Sequence, residues 1–202
     1  MRRRLAAACL LGLALPGPLC GPLRAEEAPR RSAAELMDML MWNREPVGGP
    51  FALIDQDGRP RTDADFRSKL VLLTFGYTGC PDVCPTDLMQ VARALDLLGA
   101  AGEAIQPVFV TLDPARDTPA VLAEFVPSFH PRLIGLTGSE AAIRQTADAF
   151  KVFYRRAEDA IEHSAFVYLL DRQGRYLGFF PPGTSAERML TIIRPHLAPL
   201  QR

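Results

Sequence analysis

The run LVLLTFGY, residues 70 to 77, contains no charged side chain. A strand of that composition has no face to offer water, so it belongs inside a sheet covered on both sides. Covering elements follow it in alternation: DLMQVARALDLLG, PVFVTLD, TPAVLAEFVPSF, RLIGLTG and SEAAIRQTADAF read as helix, strand, helix, strand and helix. In the last of these Ser139 supplies the cap, and Ala142, Ile143 and Phe150 form the apolar stripe. After KVFYRR, the segment SAFVYLLDRQGRYLGFF folds back between Asp171 and Gly174, and SAERMLTIIRPHL closes the chain as a helix. Upstream, Phe51 to Ile54 and Arg59 to Thr62 flank Asp57-Gly58, which marks a hairpin. This order predicts an α/β fold: a mixed sheet with helices on both faces, an N-terminal β-hairpin and a C-terminal hairpin. At 202 residues and 48% hydrophobic content the chain has material for one core of ordinary size.

The first 25 residues lie outside that pattern: Arg2, Arg3 and Arg4 precede an apolar run from Leu5 to Leu15 that Pro16, Pro18 and Pro22 break. Crossing a bilayer takes roughly 20 apolar residues, so residues 1–25 read as an export signal in preference to a membrane anchor. Cleavage after Ala25 would start the mature chain at Glu26 and place the domain in a bacterial periplasm, free or tethered to the inner membrane. A lipoprotein site at Cys20 fits poorly, because Leu19 stands where a small residue belongs. Residues 26–46 form a Met-rich helical lead-in, with Ser32 as cap and Leu36, Met37, Leu40 and Met41 at helical spacing. Met37, Met39 and Met41 carry soft sulfur that suits Cu(I), but they spread over different helix faces, which favours ordinary gap-filling. Residues 47–202 then form the domain. With a formal net charge of zero and no Lys/Arg run beyond the first four residues, the sequence indicates no phosphate-binding surface, so nucleic acid is not an expected partner.

With Cys9 and Cys20 inside the signal, an exported chain keeps Cys80 and Cys84, and its compartment permits a disulfide. Both lie in TFGYTGCPDVCPTDL, residues 74 to 88, with Cys80 at the end of the apolar strand and Pro85 suited to the first position of the next helix. A helix N-terminus favours thiolate, while Asp82 and Asp87 oppose it. Four positions apart on one turn, two side chains share a face with Cβ atoms roughly 5 to 6 Å apart. That distance serves metal chelation, and a small inward movement serves a disulfide. A structural bridge, a redox pair and two legs of a metal site are all open at this point.

The segments GYTGCPDVCPT, TLDPARDTP and EHSAFVYLLDRQG, in that order and spacing, resemble the SCO/SenC family of copper-binding proteins that help assemble cytochrome c oxidase. The resemblance spans about residues 47 to 198. It implies a thioredoxin-like fold with an inserted hairpin, and one copper per chain, Cu(I) or Cu(II), held by two cysteines and one histidine. Carried onto this chain, the ligands are Cys80, Cys84 and His163, with Cys80 and Cys84 doubling as the redox disulfide. The implied partners are the copper-bearing subunit of the oxidase, with its dinuclear centre, and other copper carriers, the protein itself acting as a monomer. Asp113, Asp117 and Glu162 are candidates for docking or for support of the ligands. Glu162 stands where the family pattern has Asp, and no tyrosine separates Tyr154 from the histidine.

Two thiolates and an imidazole make a soft, nitrogen-bearing set that copper prefers, and three ligands fall short of the four of a closed structural zinc site. Zinc with a water as fourth ligand is the alternative metal. His163 differs from His130 and His196 in immediately preceding an apolar strand, which in the family's fold runs beside the cysteine strand; the other two read as surface or satisfied core. Asp117 or Thr118 is expected to cap the helix that starts at Pro119. Copper delivery therefore leads, and thiol-disulfide exchange on the oxidase subunit comes second, since its usual spacing is C-x-x-C. Peroxide reduction is third, because Pro81 stands where a peroxiredoxin loop carries Thr or Ser.

Overall fold

The computed structural model describes residues 46–81, 83–157 and 160–197. The expected export signal and Met-rich lead-in lie outside the described residues. The strands are β1 (Ala52–Asp55), β2 (Pro60–Thr62), β3 (Leu70–Gly76), β4 (Ile105–Thr111), β5 (Ile134–Thr137), β6 (Tyr154–Arg156), β7 (Ile161–His163), β8 (Val167–Leu170) and β9 (Tyr176–Phe180). The helices are α1 (Val83–Leu98), α2 (Pro119–Phe125), α3 (Glu140–Ala149) and α4 (Ala186–Leu197). Seven strands form one mixed sheet in the order β2-β1-β5-β4-β3-β8-β9, and β6 and β7 form a separate ribbon.

The charge-free run occupies the position its composition demands. Every residue of β3 is buried, and the strand runs parallel to β4 and antiparallel to β8. Its side chains alternate between two layers. Val71, Leu73 and Phe75 pack with Ile143, Ala147 and Phe150 at α3. Leu70 and Leu72 pack with Val91 and Leu95 of α1 and with Met189 and Ile193 of α4. Each such side chain contributes about 1.5–3 kcal/mol on leaving water, so sheet position is set by burial on both faces. Both expected hairpins form, β1 with β2 and β8 with β9.

Helix boundaries follow their caps. Ser139 accepts from the Ala142 amide at 3.2 Å, and Thr118 accepts from the Val121 amide at 3.4 Å, so Thr118 is the cap of α2 and Asp117 is not. α1 begins at Val83, which makes Pro85 its third residue and not its first. The missing N–H is still harmless there, since the first four amides of a helix have no intrahelical acceptor. β3 ends at Gly76, so Cys80 lies in the loop beyond the strand. The ribbon is the element that the sequence reading does not define: Tyr154 pairs with His163, Arg155 with Glu162 and Arg156 with Ile161. Among the described residues no helix is long and apolar enough to cross a membrane.

Candidate metal centre

Three elements bring the site together. β3 feeds a tight turn in which the Cys80 amide donates to the Tyr77 carbonyl at 3.1 Å. The first turn of α1 then presses Cys84 against the sheet, where it is buried. Gly76 permits this approach. It shares a strand face with Leu70 and Leu72, and a Cβ at Gly76 would stand 2.8 Å from Cys84 Sγ and 3.0 Å from the Phe109 ring. His163 ends β7, four positions before β8 enters the sheet with Val167 beside Thr74. Strand order thus carries the imidazole back to the cysteine loop.

Cys84 Sγ lies 3.5 Å from His163 Nε2, and the ligand atoms of Cys80, Cys84 and His163 all fall within 4.8 Å of one another. Among the described residues no other three His, Cys, Asp or Glu side chains converge in this way. His163 Nδ1 is 3.1 Å from the Ser164 carbonyl. A carbonyl only accepts, so Nδ1 carries the proton and the Nε2 lone pair faces the sulfurs. Tyr77 meets the imidazole edge-on at 6.2 Å between ring centroids. Cys84 is sealed while Cys80 and His163 are partly open, so access is from their side.

Burial governs the protonation states. It pushes the Cys84 thiol well above its ordinary value, and a hydrogen bond with Cys80 adds to the rise. The helix N-terminus was expected to favour thiolate here, and desolvation overrides it because Cys84 faces the sheet and not solvent. Burial also lowers His163, opposed by the Ser164 carbonyl and the Asp87 carboxylate. Asp87 is itself raised by burial, against the Gly183 amide that donates to it at 2.8 Å. Cys80 and Cys84 are thiols not joined by a disulfide, and burial favours the neutral imidazole, the state in which nitrogen can take a metal.

The donors fit a copper ion on their own chemistry and spacing. Two ligands bonded to one first-row metal at roughly 2.0 to 2.3 Å stand about 3.5 to 4 Å apart. The sulfur–imidazole separation of 3.5 Å meets this. The second-nitrogen bond to a backbone carbonyl is the usual means of orienting a ligating histidine.

The remaining candidates take other places. Asp113 and Asp117 are buried at the end of β4, and Asp117 accepts from the Thr78 amide and hydroxyl in the cysteine loop. Glu162 is exposed and pairs with Arg155 across the ribbon at 2.6 Å. His130 accepts from the Arg132 amide at 3.1 Å, and His196 is exposed on α4. Sequence reasoning missed Gly76, Tyr77, Thr78 and the Ser164 carbonyl. Gly76 carried a readable signal, a glycine ending a strand of bulky residues, where close approach is the usual reason. The backbone carbonyl carried none.

The SCO1/SenC family profile matches residues 41–198. A SCO2-like protein of Rickettsia prowazekii (strain Madrid E) is 43% identical over 155 residues, covering 73% of this chain and 76% of that protein. The mitochondrial SCO2 homolog of Homo sapiens is 37% identical over 207 aligned positions, covering 98% of this chain and 76% of its own length. Arabidopsis thaliana ScoI, solved with copper bound, superposes with a TM-score of 0.72 at 36% identity, over 75% of this chain and 98% of that one. Bradyrhizobium japonicum ScoI, also with copper bound, gives 0.69 at 35% identity, over 74% and 99%.

Proposed function

The chain belongs to the SCO1/SenC family, and from that premise we propose that it binds one copper ion through Cys80, Cys84 and His163 and delivers it to the dinuclear copper centre of cytochrome c oxidase. The observation that carries the reading is the convergence of two thiols and an oriented imidazole within 4.8 Å. Copper is the cargo. Its arrival displaces the Cys84 proton, which burial otherwise holds in place, and the Nε2 lone pair is already directed at the sulfurs. Three protein ligands leave a coordination position for the acceptor's own ligand, which must enter before the donor's leave. Loading requires reduced cysteines, because a disulfide offers no thiolate. Residues 1–25 would direct export, 26–46 would form the lead-in, and 47–202 would act outside the cytoplasm as a monomer.

A second reading is thiol-disulfide exchange on the acceptor's cysteines. It is favoured by the direct hydrogen bond between Cys84 and Cys80 and by the partial exposure of Cys80. It ranks second because a leaving thiol works better at low pKa, and burial moves Cys84 the other way. His163→Ala separates the two. Copper delivery predicts a large loss of copper retention and of oxidase loading, with the Cys80–Cys84 disulfide still able to form. Normal oxidase loading in cells by that variant would overturn copper delivery in favour of exchange.

A further inference from the structure

The segment that joins β4 to α2 grips both halves of the metal site. Asp117 is 1% exposed. It accepts from the Thr78 amide at 2.9 Å, the Thr78 hydroxyl at 2.5 Å and the Thr111 hydroxyl at 2.5 Å. Thr78 stands two residues before Cys80. Asp113, also 1% exposed, accepts from the Arg156 guanidinium at 3.0 Å. Arg156 lies on β6, and the pairing register puts it on the same ribbon face as Tyr154, Ile161 and His163. The two aspartates are themselves linked. The Asp113 amide donates to Thr111 Oγ1 at 2.9 Å, and the Asp117 amide donates to the Asp113 carbonyl at 2.8 Å.

Neither aspartate is needed to start α2, since Thr118 caps it. Buried charges of this kind are weak contributors to stability, because desolvation offsets most of what their partners return. The ribbon, however, has strands of three residues each, and a two-stranded piece of that size does not hold its place alone. We infer that Asp113 and Asp117 are positioning residues forming a two-handed clamp. Asp117 fixes the cysteine loop through Thr78, Asp113 fixes the His163 ribbon through Arg156, and the segment between them sets the separation of sulfur and imidazole.

The consequence for copper rests on the proposed function, but the cysteine hand can be read without metal. Two variants address the hands separately. Arg156→Met should lower copper retention against a competing chelator about tenfold, the usual scale for groups that orient a ligand. It should have no further effect in the His163→Ala background, because its hand holds only the imidazole. Thr78→Val, which removes one donor and keeps the volume, should cost a similar factor in both backgrounds. In metal-free protein Thr78→Val should slow closure of the Cys80–Cys84 disulfide by oxidised glutathione several-fold, and Arg156→Met should leave that rate at wild type. Near-ultraviolet circular dichroism on each variant confirms that folded chains are compared. An equal loss from Arg156→Met in both backgrounds, or a wild-type closure rate in Thr78→Val, overturns the clamp. If the wild type binds no copper, the copper reading fails and the closure rates alone decide the cysteine hand.

Discussion

At the scale of single residues, the site depends on one missing side chain and one missing proton. Gly76→Ala would place a methyl carbon 2.8 Å from Cys84 Sγ, so either the helix or the sulfur must move. The variant is expected to lose copper retention together with stability, read by chelator competition and by denaturant melts. The missing proton belongs to His163. Burial sets its folded pKa below the ordinary 6.5, so as pH falls the unfolded chain takes up the proton first. The stability that depends on a neutral imidazole is complete above that value and is lost as pH drops through it toward the folded pKa. Urea titrations of metal-free protein at pH ~7.5 and ~5.5 should show a loss on the acid side that shrinks in His163→Ala. An identical slope in the two proteins would contradict the buried, neutral histidine. The sequence made Cys80, Cys84 and His163 legible through residue type and motif. It could not reveal that Cys84 turns inward, because the facing of one helical turn is set by packing on β3 and not by local spacing.

Among the elements, legibility tracked length and self-sufficiency. α3 carries its cap and apolar stripe within its own ten residues and the one flanking residue at each end, Ser139 and Phe150, so it was readable. β6 and β7 have three residues each and too little alternation to declare a strand, so the ribbon that presents His163 was visible only in the fold. The two also differ in consequence. α3 supplies none of the three ligands; it covers the face of β3 that bears Val71, Leu73 and Phe75, where Cys80 and Ile161 also pack, while Cys84 sits by Gly76 on the other face. Ser139→Ala should therefore cost about 1 kcal/mol, lowering the melting temperature by roughly 2–4 °C, while copper retention stays at wild type. A copper defect in this cap variant would show that the start of α3 bears on the ligands, contrary to the account.

For the molecule as a whole, metal and fold should be linked through mass action. A ligand that binds only the folded state stabilises it by about 2.7 kcal/mol at a hundredfold excess over its dissociation constant. Copper added to reduced protein should accordingly raise the melting temperature, and copper added after oxidation of Cys80 and Cys84 should not. The general plan of the molecule, a mixed sheet covered on both faces, followed from a charge-free strand and alternating elements. The place where three separate elements meet did not, since it depends on strand order, which no local pattern encodes. Copper K-edge X-ray absorption on the reduced, loaded protein tests the central claim most directly. The account predicts sulfur scattering from two cysteines and imidazole scattering from one histidine, the latter lost in His163→Ala. A shell without sulfur, or imidazole scattering that persists in that variant, would contradict it.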